Sequence, residues 1–242
     1  YILHDTMTKG LKFDSTSVKV YLHRDRAGSE NKFSAYLTAD TDYELVTSTS
    51  DTCTFEIKFH TALKPYDYIQ VDYSATVTAD AVIGTAGNDN KAVLTYGNDS
   101  TTTESSTTKT YVWGMGVRKF ANLGTGKEDI ALADAEFQLY KKDGDTQKYA
   151  MFTETGTNTS IYKLTGWTNN ATEAAKVKTP ADGNIKFEGL DAGTYYLEET
   201  KAPVGYNKLP DPITVVIDRD TLPTVAGQTI SYTVKYGDTT AD

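Results

Sequence analysis

The sequence predicts an all-β protein of sandwich type, built as two domains with few or no helices. Three observations carry that prediction. Apolar residues recur at every second position in short runs, the signature of strands with one face buried. Thr, Tyr and Val are plentiful while helix formers are sparse, which favours a pleated surface over a helical one. A chain of 242 residues is also long enough for two cores of ordinary size.

The alternation is clear at residues 18–23, 55–60 and 69–77, each of which reads as a half-buried strand. Residues 99–110 are nearly all Ser and Thr and have nothing to bury, so the boundary is placed there, dividing the chain into 1–108 and 109–242. In the second half strands are expected at 137–140, 185–187, 195–199, 213–217 and 230–236. Asp143-Gly144-Asp145 and Asp182-Gly183-Asn184 supply turns between them.

Composition narrows function. With 33 acidic against 24 basic residues the formal charge is −9, and no basic patch argues for nucleic acid. No apolar run is long enough to span a membrane, so no membrane contact is expected. Cys53 is the single cysteine, which excludes an internal disulfide. No signal peptide, sorting motif or hydrophobic anchor is visible in the sequence.

The most informative residue is Glu199. Along the run 195–200, Tyr195, Leu197 and Glu199 share one face of a strand, so the carboxylate points where an apolar core is expected. An unpaired carboxylate there is costly, and Glu199 should be protonated or have a dedicated partner. The same parity places Lys119 with Met115 and Val117, and Asp238 with Val234 and Tyr236. In the first half Asp5 shares a row with Tyr1, Leu3 and Met7, and Asn98 shares one with Leu94 and Tyr96. Parity alone is weak support, since an inward Lys or Glu is more often a snorkelling or edge residue.

Residues 183–195, with Leu197, Glu199, Thr200, Ala202, Pro203, Gly205 and Tyr206, resemble the E-box region of Cna protein B-type domains in sortase-assembled Gram-positive pilins. The resemblance implies an immunoglobulin-like sandwich in which the matching Glu promotes a spontaneous amide between a Lys on the first strand and an Asn or Asp on the last. Lys119, Glu199 and Asp238 are then the triad of the second domain, Asp238 standing ahead of an Asn beyond residue 242. Residues 5–13, 71–75 and 90–99 resemble the preceding domain of backbone pilins. That match implies a second amide with Asp5 as the acid and Asn98 as the acceptor, from a Lys expected upstream of Tyr1.

Burial serves this chemistry. Desolvation favours the neutral forms of an amine and an acid, so the amine can attack while the acid polarises the acceptor carbonyl and carries the proton to the leaving group. Such a reaction is proximity catalysis performed once, and the protein is not expected to be an enzyme. Other signals are weaker. His4, His23 and His60 lack metal-ligand spacing and read as surface residues; Cys53 has no identifiable His partner; Asp143-Gly144-Asp145 and Asn88-Asp89-Asn90 read as turns. No metal and no cofactor are expected. The resemblance implies a structural pilus subunit on the outside of a Gram-positive cell, anchored to the wall, with neighbouring pilin subunits and a pilin-specific sortase as partners. The alternative is an ancillary or tip pilin, or a collagen-binding-type adhesin, contacting host extracellular matrix. A carbohydrate-active enzyme's accessory module would instead call for an exposed aromatic row on one sheet.

Overall fold

A computed structural model describes residues 1–24, 33–63, 67–97, 101–155, 160–219, 232–236 and 239–240. They are all-β, with no helix among the described residues. The chain forms two compact units, Tyr1–Ala81 with Asn88–Thr110, and Val82–Gly87 with Tyr111–Asp242.

The first nine strands are β1 (Ile2–Met7), β2 (Leu11–Arg24), β3 (Phe33–Tyr36), β4 (Tyr43–Val46), β5 (Phe55–Phe59), β6 (Asp67–Val77), β7 (Gly84–Tyr96), β8 (Thr101–Thr102) and β9 (Ser106–Arg118). In the first unit β1 is central, antiparallel to β5 on one side and β7 on the other. A second sheet runs β3-β2-β6. Period-2 alternation explains the packing between them. Phe55 and Ile57 of β5 are fully buried, and Phe13 of β2 stacks on Phe55 at 4.0 Å between ring centres. Leu3, Met7, Val71 and Tyr73 close the same core. Each such side chain contributes about 1.5–3 kcal/mol of burial.

The remaining strands are β10 (Phe120–Ala121), β11 (Ile130–Ala131), β12 (Glu136–Asp143), β13 (Thr146–Thr155), β14 (Ser160–Thr168), β15 (Val177–Lys178), β16 (Asn184–Leu190), β17 (Gly193–Lys201), β18 (Ile213–Arg219), β19 (Tyr232–Tyr236) and β20 (Thr239–Thr240). Their ladder runs β20-β19-β18-β17-β12-β13-β14-β16-β9, and β14 pairs with β16 in parallel. Trp113, Phe137, Leu139, Phe187, Leu197, Val215 and Ile217 fill the core.

Two local expectations change. The Ser/Thr stretch is not simply a linker: β9 opens inside it at Ser106, because a strand's backbone is satisfied by its ladder even when every side chain faces solvent. There Asn88 Nδ2 donates to the Thr110 carbonyl at 3.2 Å, and Lys109 is ion-paired with Asp89. Asn88-Asp89-Asn90 is likewise no turn but the middle of β7. The other turns form as the sequence indicates. Gly144 takes φ 58° between the paired residues Asp143 and Thr146.

Gly183 has φ 73°, and a Cβ there would lie 2.3 Å from the Lys119 carbonyl oxygen. That carbonyl accepts from Leu132 N at 2.9 Å, while Lys119 N donates to the Gly183 carbonyl at 2.9 Å. Gly183→Ala therefore adds left-handed strain to a backbone collision. We expect it to destabilise the second unit by at least about 1–3 kcal/mol, read as a lower Cm in urea, with Asp182→Ala as the milder control in the same turn. Equal Cm values for Gly183→Ala and the parent would contradict this packing.

Candidate functional site

Each unit has one carboxylate that is almost wholly buried, Asp5 at 0% and Glu199 at 1% exposure, while Glu56 in the first unit keeps 7%. Both lie on apolar rows of strands. Glu199 sits on β17 beyond Leu197, across from Phe137 of β12. Lys119, which directly follows β9, brings its Nζ to 2.9 Å from Glu199 Oε1. The ammonium lies off the direction of a well-aligned hydrogen bond, so Oε1 is in ionic contact without a directed donor. The second oxygen, Oε2, accepts from Leu209 N at 2.8 Å. The segment after β17 thus returns to the acid, and Pro203 within it is buried. Sequence reasoning joined Lys119 to Glu199 but missed the Leu209 amide, since no side-chain motif marks a backbone donor. Asp238 lies outside the described residues. Tyr236 pairs with Thr239 in a hairpin of β19 and β20, and Gly237 and Asp238 stand between them in sequence.

In the first unit Asp5 faces Ala92 of β7 and Phe55 of β5. Tyr73 Oη donates to Asp5 Oδ2 at 2.8 Å, and Asn90 Nδ2 lies 3.2 Å from the same oxygen and 2.6 Å from Tyr73 Oη. Burial raises the Asp5 pKa, and the Tyr73 and Asn90 hydrogen bonds oppose it only in part. The same burial, with the Asp5 acceptor beside it, pushes the Tyr73 phenol upward. Asp5 Oδ1 and Asn90 Oδ1 are both buried with no hydrogen-bond partner. An acid and a side-chain amide thus sit together in the core, each with an oxygen open to a donor, and no described lysine is ion-paired with Asp5.

Asn98 lies outside the described residues, and the amide the structure sets against Asp5 is Asn90. Its signal was present: Asn90 occupies the same alternating row as Leu94, Tyr96 and Asn98, diagonal to Asp5 across the β1–β7 ladder. The readings of Cys53 and His4 also change. His4 Nδ1 lies 3.6 Å from Cys53 Sγ, a pairing invisible in sequence because 49 residues separate them.

The sequence model of the SpaA prealbumin-like fold domain matches residues 119–230, the span running from Lys119 across Glu199. The solved pilus 2b backbone protein of group B streptococcus superposes with a TM-score of 0.63 at 24% identity, over 94% of this chain and 80% of that one. The pilus backbone RrgB of Streptococcus pneumoniae gives 0.56 at 15% identity, over 88% and 81%. For BcpA, the major pilin subunit of Bacillus cereus, the values are 0.53 and 16%, over 90% of this chain but 55% of that one. The chain has a pilin-like fold. No curated protein matches it in sequence.

Because folding raises the Asp5 pKa, the folded unit keeps this proton where the unfolded chain has released it. The associated stability is present below the ordinary value of 3.8 and is lost as pH rises from there toward the folded value. Denaturant titrations from pH 3 upward should show this decline for the first unit, and Asp5→Asn should flatten it. A parent curve that rises with pH as steeply as that of Asp5→Asn would count against the assignment.

Proposed function

We propose that the protein is a structural subunit of a Gram-positive surface pilus whose units are locked by self-formed amide bonds. The observation carrying this reading is the Lys119–Glu199 contact, an amine 2.9 Å from a fully buried acid, within a pilin-like fold. An amine and an acid at that distance can exchange a proton, leaving a neutral nucleophile and a neutral acid. Attack of Lys119 Nζ on a side-chain carbonyl carbon forms the amide, and Glu199 passes the proton to the departing group. An Asp acceptor releases water and an Asn acceptor releases ammonia. Asp238 is the proposed acceptor in the second unit.

For the first unit we propose Asn90 as acceptor and Asp5 as acid, in place of Asn98. Asn90 already points its amide at Asp5, and its free Oδ1 is the oxygen an acid would polarise. Tyr73 holds both groups in place. Subunits so locked suit end-to-end polymerisation by a sortase on the cell surface, with neighbouring pilins as partners. The bond does not turn over, so the chemistry is structural and not enzymatic. A Lys119–Asp238 bond would enclose nearly the whole second unit and, as for a long disulfide loop, stabilise it by about 4–5 kcal/mol.

Intact-mass measurement and tryptic peptide mapping test this. The expected result is a peptide crosslinked through Lys119, with the loss of one water or ammonia, absent from Glu199→Ala and Lys119→Ala. Both variants should fold but melt several degrees lower. A folded parent with unmodified mass rules the reading out.

One observation favours a second reading, the carbohydrate-binding accessory module for which an exposed aromatic row is the expected mark. Because Val20 and Leu22 of β2 point inward, Tyr21 and His23 face outward and stack with their cross-strand neighbours. Tyr21 meets Tyr36 at 3.7 Å and His23 meets Tyr68 at 4.5 Å, with Tyr36 61% and Tyr68 58% exposed. Such a row can stack against sugar rings. On this reading a glycan array should show binding that Tyr36→Ala/Tyr68→Ala abolishes; a blank array removes the reason for it.

A further inference from the structure

Asp5 and His4 are neighbours in sequence but lie on opposite faces of β1. Asp5 enters the core, while His4 faces Glu56 across the β1–β5 ladder. The loop before β5 adds two more ligand-type side chains to that face. Cys53 N donates to Asp51 Oδ1 at 2.9 Å and Thr49 Oγ1 donates to the Cys53 carbonyl at 2.8 Å, so the loop is braced by its own hydrogen bonds. His4 Nδ1, one Asp51 oxygen and Cys53 Sγ all lie within 4.8 Å of one another. The individual separations are 3.4 Å from Nδ1 to Asp51 Oδ2, 3.6 Å from Nδ1 to Sγ and 3.1 Å from Sγ to Oδ2.

We infer that His4, Asp51 and Cys53 form a binding site for a divalent transition metal of the zinc type. Three arguments support it. The first is spacing: ligands about 2.0–2.3 Å from a tetrahedral zinc stand roughly 3.3–3.7 Å apart, and the separations here already approach that range. The second is tautomer. His4 Nε2 lies 3.2 Å from Thr95 Oγ1, whose own hydroxyl lies 3.4 Å from the Ile2 carbonyl. With that hydroxyl given to Ile2, Thr95 accepts the Nε2 proton and leaves the Nδ1 lone pair facing Asp51 and Cys53, as metal ligation needs.

The third argument is proton economy. Glu56 Oε1 is also 3.2 Å from Nδ1, so two carboxylates and a sulfur converge on a ring nitrogen that holds at most one proton. A cation serves all of them at once. The thiolate and Asp51 neutralise a 2+ charge, and Glu56, whose other oxygen is 3.4 Å from Lys58 Nζ, adds a further negative charge alongside. Sulfur with imidazole selects zinc or cobalt over calcium or magnesium. A thiol binds the metal as its thiolate, so binding expels the Cys53 proton and should tighten as pH rises. The competing arrangement is a protonated His4 clasped by Asp51 and Glu56 with no metal.

Co2+ titration of the reduced full chain separates the two. Binding at His4, Asp51 and Cys53 predicts a thiolate-to-cobalt charge-transfer absorption, displaced stoichiometrically by Zn2+ and strengthening with pH. Cys53→Ser should abolish the absorption, and His4→Ala should weaken affinity at least tenfold. Thr95→Val should weaken it by about tenfold through the lost tautomer control. Circular dichroism of each variant confirms that the unit remains folded. Absence of the thiolate band in the parent, or equal Zn2+ affinity in parent and Cys53→Ser by calorimetry, overturns the site in favour of the ion pair.

Discussion

The buried carboxylate is the constraint around which both units are arranged. A charged oxygen deprived of water costs several kcal/mol unless something replaces the solvent. Each unit answers differently. Glu199 receives an ammonium on one oxygen and a backbone amide on the other. Asp5 receives a phenol and a carboxamide on a single oxygen, and burial still raises its pKa. Fold and site are therefore not separable. The strands that supply the apolar rows also hold the acids where water cannot reach, and the loop over Glu199 exists in part to donate one N–H.

The proposed amide bonds would supply the covalent tie that a chain with a single cysteine cannot make as an internal disulfide. A protein that must resist pulling gains little from a larger core, because hydrogen-bond ladders separate strand by strand under load. A covalent tie between first and last strands bypasses the ladder. On the proposed reading the energetic investment lies in burying the reactive groups before reaction, and an amide formed there would remove the charges that made burial expensive.

The first unit also shows how one strand serves two environments. Pleating sends Asp5 into an aromatic core beside Phe55 and Tyr73, and sends His4 to a polar face beside Glu56, Asp51 and Cys53. On β2 the same alternation sends Val20 and Leu22 inward and builds an aromatic row outside. Adjacent residues can thus belong to unrelated sites without competing for space.

The sequence by itself determined the all-β class, the turns at Gly144 and Gly183, and the inward direction of Lys119, Glu199 and Asp5. These depend on alternation and local backbone preference, which a few consecutive residues encode. Partnership across long separations was decided only by the tertiary structure. Parity marks which face a residue occupies but not which strand lies opposite, so the row holding both Asn90 and Asn98 could not reveal that register sets Asn90 beside Asp5. Nor could it show that the loop before β5 brings Cys53 to His4, or that the chain after Pro203 returns Leu209 to Glu199. Those contacts follow from strand order and register, which are fixed by the packing of the whole core.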